Sequence, residues 1–138
     1  MATGAILATT LAAVLGGMFL LWLVSLRTRD VSIVDIFWGL GFVGIAAVAL
    51  GATAAPGPRA LLTFVLVAVW GVRLAAYLAW RNHGQGEDYR YAAMRRHHGE
   101  RFARVSLGTV FGLQAILMWV VSLPAQAAIA AGAAPLGW

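Results

Sequence analysis

The chain contains no cysteine and no lysine, and it has only five acidic residues. The absence of cysteine excludes disulfides, thiolate metal sites and a cysteine nucleophile. Charge is scarce as well: 11% of residues are charged against 62% hydrophobic, where soluble domains carry about 25% charged residues. A soluble domain of 138 residues could not bury so much apolar side chain. Without lysine, the ten basic residues are all arginine, and the net charge is +5. In a soluble protein that excess would point to nucleic acid. Here the arginines lie between apolar runs, where anionic headgroups and the positive-inside bias account for them, and no nucleic-acid partner is expected. The amino terminus also lacks the basic segment of a cleaved signal peptide; its first charges, Arg27 and Arg29, follow the apolar run. It reads as a retained helix.

What is present is a set of long apolar runs. A membrane-spanning helix needs roughly 20 apolar residues, and four stretches qualify, at about 5–26, 32–54, 60–80 and 105–130. The expectation is an all-α integral membrane bundle of four transmembrane helices, forming a single membrane domain over 1–138. Gly39, Gly41 and Gly44 give the second run a face suited to close helix contact. "PGPR" at 56–59 ends that run. The third carries Arg73 and Tyr77, and the fourth carries Gln114 and bends or stops near Pro124.

Charge gathers in one place. Residues 80–104, "WRNHGQGEDYRYAAMRRHHGERFAR", hold six of the ten arginines, three of the five acids and all three histidines. With four spans, the connectors 27–31 and 81–104 share a side and carry eight arginines, while Arg59 stands alone opposite. The positive-inside rule then puts both basic connectors in the cytoplasm and both termini outside, in an inner-membrane, multi-pass protein. Within the segment, Tyr91, Met94, His98 and Phe102 recur every three or four residues, the pattern of a short helix lying in the headgroup layer.

Two polar residues inside the spans invite a chemical reading, since Asp or Arg at a span centre costs about 2.5–3.5 kcal/mol. Asp35 is one turn into the second run, and Arg73 is about two turns before the end of the third. Either Arg73 snorkels and Asp35 is a helix-start acid, or the two face a shared polar cavity with Tyr77, one turn beyond Arg73. The run "GQGEDYRY" (84–91) mixes glycines, acids, tyrosines and an arginine. Such a loop suits a phosphate-bearing cofactor or a lipid headgroup, through forked guanidinium contacts and accessible backbone N–H groups. His83, His97 and His98 form no ligand set, because adjacent histidines on a helix diverge. No metal site is expected.

The blocks "VDIFWGLGF", "WGVRLAAYLAWRNHGQGEDYRYAAMRRHHGERF" and "SLGTVFGLQAILMWVVSLPAQ" resemble the bacterial branch of the steroid 5-alpha-reductase-like membrane proteins, long classed as a domain of unknown function. The resemblance covers most of the chain from about residue 31. It implies the first half of a seven-helix reductase fold that moves hydride from NADPH to a carbon–carbon double bond conjugated to a carbonyl, in a steroid-like or other lipid-like substrate. Trp70, Arg73 and Tyr77 echo the family's aromatic-x-x-Arg-x-x-x-Tyr pattern. Trp70 has no hydroxyl, so carbonyl polarisation passes to Tyr77 or Tyr89 with Asp35 as the supporting acid. Arg73, Arg81, Asn82, Glu87, Asp88, Arg90 and Tyr91 are implied to lie near the cofactor's phosphates and ribose. The family's Arg-His-Pro-x-Tyr type motif does not occur, and the chain resembles an amino-terminal half that needs a carboxy-terminal partner to hold NADPH.

Two other functions fit the same residues. One is a non-catalytic four-helix membrane protein that binds a partner or anionic lipid. The other is a small proton-coupled transporter using Asp35.

Overall fold

In the computed structural model, which describes residues 1–137, the all-α expectation holds. Helix makes up 82% of the chain and no strand forms among the described residues. The first three helices are α1 (Thr3–Thr28), α2 (Ile33–Ala52) and α3 (Pro58–Asn82). After the loop 83–88 come α4 (Tyr89–His98) and a tight 3-10 turn (Gly99–Arg101). Then follow α5 (Phe102–Ser106), a π-helical turn (Leu107–Gly112), α6 (Leu113–Val121) and α7 (Leu123–Ala130). Four helical runs are long and apolar enough to cross a membrane: Thr3–Thr28, Ile33–Ala52, Pro58–Asn82 and Tyr89–Val121.

The first three runs lie close to the expected spans. α2 stops at Ala52, before the prolines, with Thr53 in extended conformation. Pro58 instead opens α3, where its missing N–H costs no hydrogen bond. The fourth run differs from 105–130. Helix begins at Tyr89, so within 81–104 only 83–88 is irregular. The cause is local: the Asp88 carboxylate accepts the Arg90 backbone N–H at 2.9 Å, capping α4. Gly99, at φ 58 and ψ −130, then departs from α-helical geometry, although helical hydrogen bonding resumes at once. The far end behaves as expected from Pro124, which falls in the first turn of α7 after a break at Ser122.

The core joins α1, α2 and the α4–α6 segment. Val34, Phe42, Tyr91, Phe102, Phe111 and Met118 are buried in one cluster. Tyr91 and Phe102 point into it and Met94 packs against it, so the three-and-four spacing in the charged segment marks a face turned to protein. Trp38 meets Gln114, and Gly41 meets Met118 three and four residues later on the respective helices. α2 and α6 therefore run in the same direction. The glycines of α2 do not form one face. Gly39 presses on Gly71 of α3, Gly41 on Met118 of α6, and Gly44 opens on a groove beside α1.

Away from these contacts the helices are greasy on the outside. Along α3, Leu61, Val65, Leu66, Val69 and Val72 are all exposed, a surface suited to lipid or further helices. At the end opposite the arginine-rich segment, polar groups are paired inside. The buried Gln126 Oε1 accepts the Thr10 hydroxyl at 2.6 Å, its Nε2 donates to Ser122 Oγ at 2.8 Å, and Trp119 Nε1 donates to Thr10 Oγ1 at 3.1 Å. This network ties α1 to α6 and α7. Gln126→Leu is expected to lower stability by about 1 kcal/mol, the scale of interhelical hydrogen bonds in membranes, because the Thr10 hydroxyl keeps the Leu7 carbonyl at 2.9 Å as an alternative acceptor. Thermal unfolding of the two proteins in the same detergent measures it; an unchanged midpoint would deny the network any hold on α1.

Candidate functional site

At the arginine-rich end, the α1–α2 connection and the loop 83–88 are clasped by one carboxylate. Glu87 Oε2 accepts the Val31 backbone N–H at 2.7 Å. Arg95 grips both oxygens, Nε to Oε1 at 3.0 Å and Nη2 to Oε2 at 2.9 Å. The Arg95 guanidinium also lies over the Phe102 ring, 4.6 Å from its centre. Burial pushes the Glu87 carboxyl up, but the hydrogen bonds from Arg95 and Val31 outweigh it and hold Glu87 below the ordinary value of 4.5. It is a carboxylate at neutral pH. In the same loop, Gly84 and Gly86 adopt φ of 73 and 70, left-handed conformations that glycine takes without strain.

The clasp sets the start of α4, and with it Asp88, Arg90 and Tyr91. The Tyr91 hydroxyl donates to Asp35 Oδ1 at 2.9 Å, and Arg90 Nη2 reaches Asp35 Oδ2 at 3.4 Å. Arg90 Nε also donates to Asp88 Oδ1 at 2.9 Å. Hydrogen bonds from the Arg90 side chain and its backbone N–H, with the nearby positive charge of Arg81 adding to them, hold the Asp88 carboxyl below its ordinary range. One guanidinium thus serves two carboxylates, and Asp35 is fixed by both of its oxygens.

Beside this cluster is a cavity of about 360 Å³. Asp35, Arg81, Asn82, Asp88 and Arg90 line it, Trp38, Leu74 and Leu78 supply apolar wall, and Gln114 reaches it from α6. A larger groove of about 530 Å³ runs between α1 and α2, but every side chain that lines it is apolar. It offers no group that could orient a reacting atom, whereas a binding cavity combines apolar wall with a few placed polar groups. The smaller cavity is the candidate site.

The structure brings Asp35, Arg81, Asn82, Asp88 and Arg90 to this cavity, with Tyr91 buried behind Asp35. Arg73 and Tyr77 are not there: both are exposed on the outer side of α3, and Leu74 and Leu78 line the cavity instead. Of the two alternatives for these residues, the cavity shared by Asp35, Arg73 and Tyr77 does not form; the face of α3 at the cavity lies one helical position away, about 100° of rotation on an α-helix. Tyr89 is 79% exposed at the start of α4. Glu87 faces Arg95 and Val31 rather than the cavity. Sequence reasoning missed Arg95, whose contact lies across a turn, and missed the pairing of Trp38 with Gln114, which a polar residue at mid-span could have signalled.

Four helices long and apolar enough to cross a membrane are those of a multi-pass membrane protein, and its polar cavity lies at the arginine-rich end. Residues 21–138 match the family model described as "Protein of unknown function (DUF1295)". The chain belongs to that family, which is a steroid 5-alpha-reductase-like family. No curated protein and no solved structure matches the chain.

Proposed function

We propose that the chain forms part of an NADPH-dependent membrane oxidoreductase, resembling steroid 5-alpha-reductases, that reduces a carbon–carbon double bond conjugated to a carbonyl in a lipid-like substrate. The observation that carries this reading is the cavity itself: uncommitted cationic and amide donors beside a doubly held carboxylate, at the arginine-rich end of a membrane bundle, in a chain of this family. That end faces the cytoplasm in this reading, where the positive-inside bias places it and where the reductant is found.

The residues present suit one end of the cofactor. Arg81 takes part in none of the three ion pairs among the described residues and lies at the cavity beside Asn82. A guanidinium and an amide are the donors that a phosphate and a ribose hydroxyl require. A cavity of about 360 Å³ is at the small end of ligand pockets. It takes one end of a dinucleotide, and the remainder rests on surfaces outside it, with a carboxy-terminal set of helices as the proposed partner. NADPH supplies the hydride when bound. The chain's part is to hold and orient. Arg90 offsets part of the charge of Asp35 and Asp88, and with Arg81 at the same cavity the four groups balance, so that an anionic group can approach; Tyr91, in place of Tyr77 or Tyr89, is the tyrosine that works with Asp35.

The test is an NADPH fluorescence titration of the chain in lipid nanodiscs, with and without a co-expressed carboxy-terminal half from the same family. Saturable binding is expected in the presence of that half. Arg81→Ala is expected to weaken it about tenfold, the loss of one charge-assisted contact. No saturable binding in either form, with association following the anionic-lipid content of the disc instead, would reject the reductase reading in favour of a lipid-binding bundle.

A further inference from the structure

The geometry points to Gln114 as the residue that reads a neutral acceptor oxygen, a ketone or enone carbonyl, on an apolar ligand in the cavity. This assignment of ligand chemistry rests on the reductase reading but is carried by separate observations.

Trp38 Nε1 donates to Gln114 Oε1 at 2.5 Å. An indole nitrogen can only donate. It therefore selects which end of the amide it meets, and the Gln114 oxygen is committed to Trp38. The indole is itself held in place: its ring meets the Phe42 ring at 4.9 Å and 63°, and Phe42 meets Trp70 at 5.4 Å and 78°. An aromatic ladder across α2 and α3 thus fixes the orientation of an amide on α6.

With its oxygen committed, Gln114 turns its Nε2 the other way. Among the described residues that nitrogen has no protein acceptor, yet no side-chain nitrogen or oxygen is both buried and unpaired. The Gln114 amide accordingly opens into the cavity it lines, with two N–H groups to give.

Its place in the cavity selects the ligand. Trp38 is one turn further into α2 than Asp35, so the amide lies on the bilayer side of the carboxylate. Arg81 and Arg90 are exposed at the rim. A phosphate goes to the guanidinium groups, where charge assists the hydrogen bonds. A neutral donor next to Trp38, Leu74 and Leu78 instead suits an apolar body carrying one carbonyl, because only such a ligand covers that wall without burying an unpaired charge. Gln114 is then the specificity residue of the cavity, and Trp38 its positioning residue.

The experiment is isotope-edited infrared spectroscopy of an alkyl cyclohexanone, carbon-13 labelled at its carbonyl, bound to the chain in nanodiscs. The wild-type protein is expected to bind the ketone and to lower its carbonyl stretch relative to the same ketone in protein-free discs. In Gln114→Leu the band returns to the lipid position and binding weakens about tenfold, the loss of one net hydrogen bond. In Trp38→Phe the amide is free to rotate, and the band broadens and moves part of the way back. That second variant keeps the ring packing on Phe42, so it reports even if the leucine substitution destabilises the bundle. A bound ketone whose band neither substitution moves would overturn the assignment, as would a wild-type protein that takes up no ketone. The probe has no carbon–carbon double bond to reduce. A Gln114-dependent band, in a protein that transfers no hydride to an enone even with NADPH and the co-expressed carboxy-terminal half, therefore upholds the carbonyl site and rejects the reductase. Enone reduction untouched by Gln114→Leu, with an unmoved band, does the reverse.

Discussion

Gly39→Leu should separate α2 from α3 and lower stability by about 3 kcal/mol, the upper end of overpacking costs. A Cβ placed on Gly39 runs into the carbonyl of Gly71, and one placed on Gly71 runs into the carbonyl of Gly39. The obstacle is main chain on a neighbouring helix, so no rotamer change relieves it; the helices must move apart. In a membrane, where apolar burial gives little drive for helices to associate, close approach at small residues is a principal source of affinity between them. Gly16→Leu is the matched control, since nothing lies within 4 Å of the position its Cβ would occupy. Circular-dichroism melts of the three proteins in one detergent give the measurement. Equal midpoints for Gly39→Leu and Gly16→Leu would show that the α2–α3 contact is not tight. Because α2 carries Asp35 and Trp38 while α3 carries Leu74, Leu78, Arg81 and Asn82, the same substitution should also widen the cavity and weaken any ligand there.

Composition and apolar run length made the bundle legible, and for a physical reason. A bilayer dictates both the length of each helix and its outward chemistry, so the information is spread over every residue of a span. The register of side chains around each helix is a finer matter. Arg73 and Tyr77 promised a polar face on α3 because they carry the charge and the hydroxyl of its stretch 64–80, yet α3 turns Leu74 and Leu78 to the cavity. The spacing of a helix says which residues share a face but not which neighbour that face meets, and an apolar environment on both sides removes the usual inside–outside signal. The glycines of α2 show the same limit, since three small residues that look like one contact stripe serve three different neighbours. In the charged segment, composition pointed to a shaped polar loop. Its closure depends on Glu87 meeting Arg95 and a backbone N–H of a distant connection, pairings that no local periodicity encodes.

That closure leads to the remaining large effect. Glu87→Gln should lower stability by about 2 kcal/mol at neutral pH and loosen the start of α4. The glutamine keeps one acceptor but sets an NH2 against either the Arg95 guanidinium or the Val31 N–H, so donor faces donor. Hydrogen bonds to a charged partner contribute about 1.5–3 kcal/mol, and the lower half of that range applies because the Arg95 side chain is 38% exposed and water replaces part of what it loses. The pH dependence identifies the charge as the cause. The folded-state value of Glu87 lies below its ordinary 4.5, so the unfolded chain takes up the proton first as pH falls. The clasp's contribution is therefore whole above about pH 4.5 and is lost as pH drops through the lower folded-state value. Wild type and Glu87→Gln should differ in melting midpoint at neutral pH and converge in acid, where the wild-type side chain is protonated and resembles the amide. Asp88 has the same sign of shift but is present in both proteins and cancels in the difference. A gap that persists undiminished in acid would mean that Glu87 acts through shape alone. Loss of the gap in acid, together with loss of ligand from the cavity in Glu87→Gln at neutral pH, where Asp88 is unchanged, would tie the order of Asp88, Arg90 and Tyr91 to a single carboxylate that never touches the ligand.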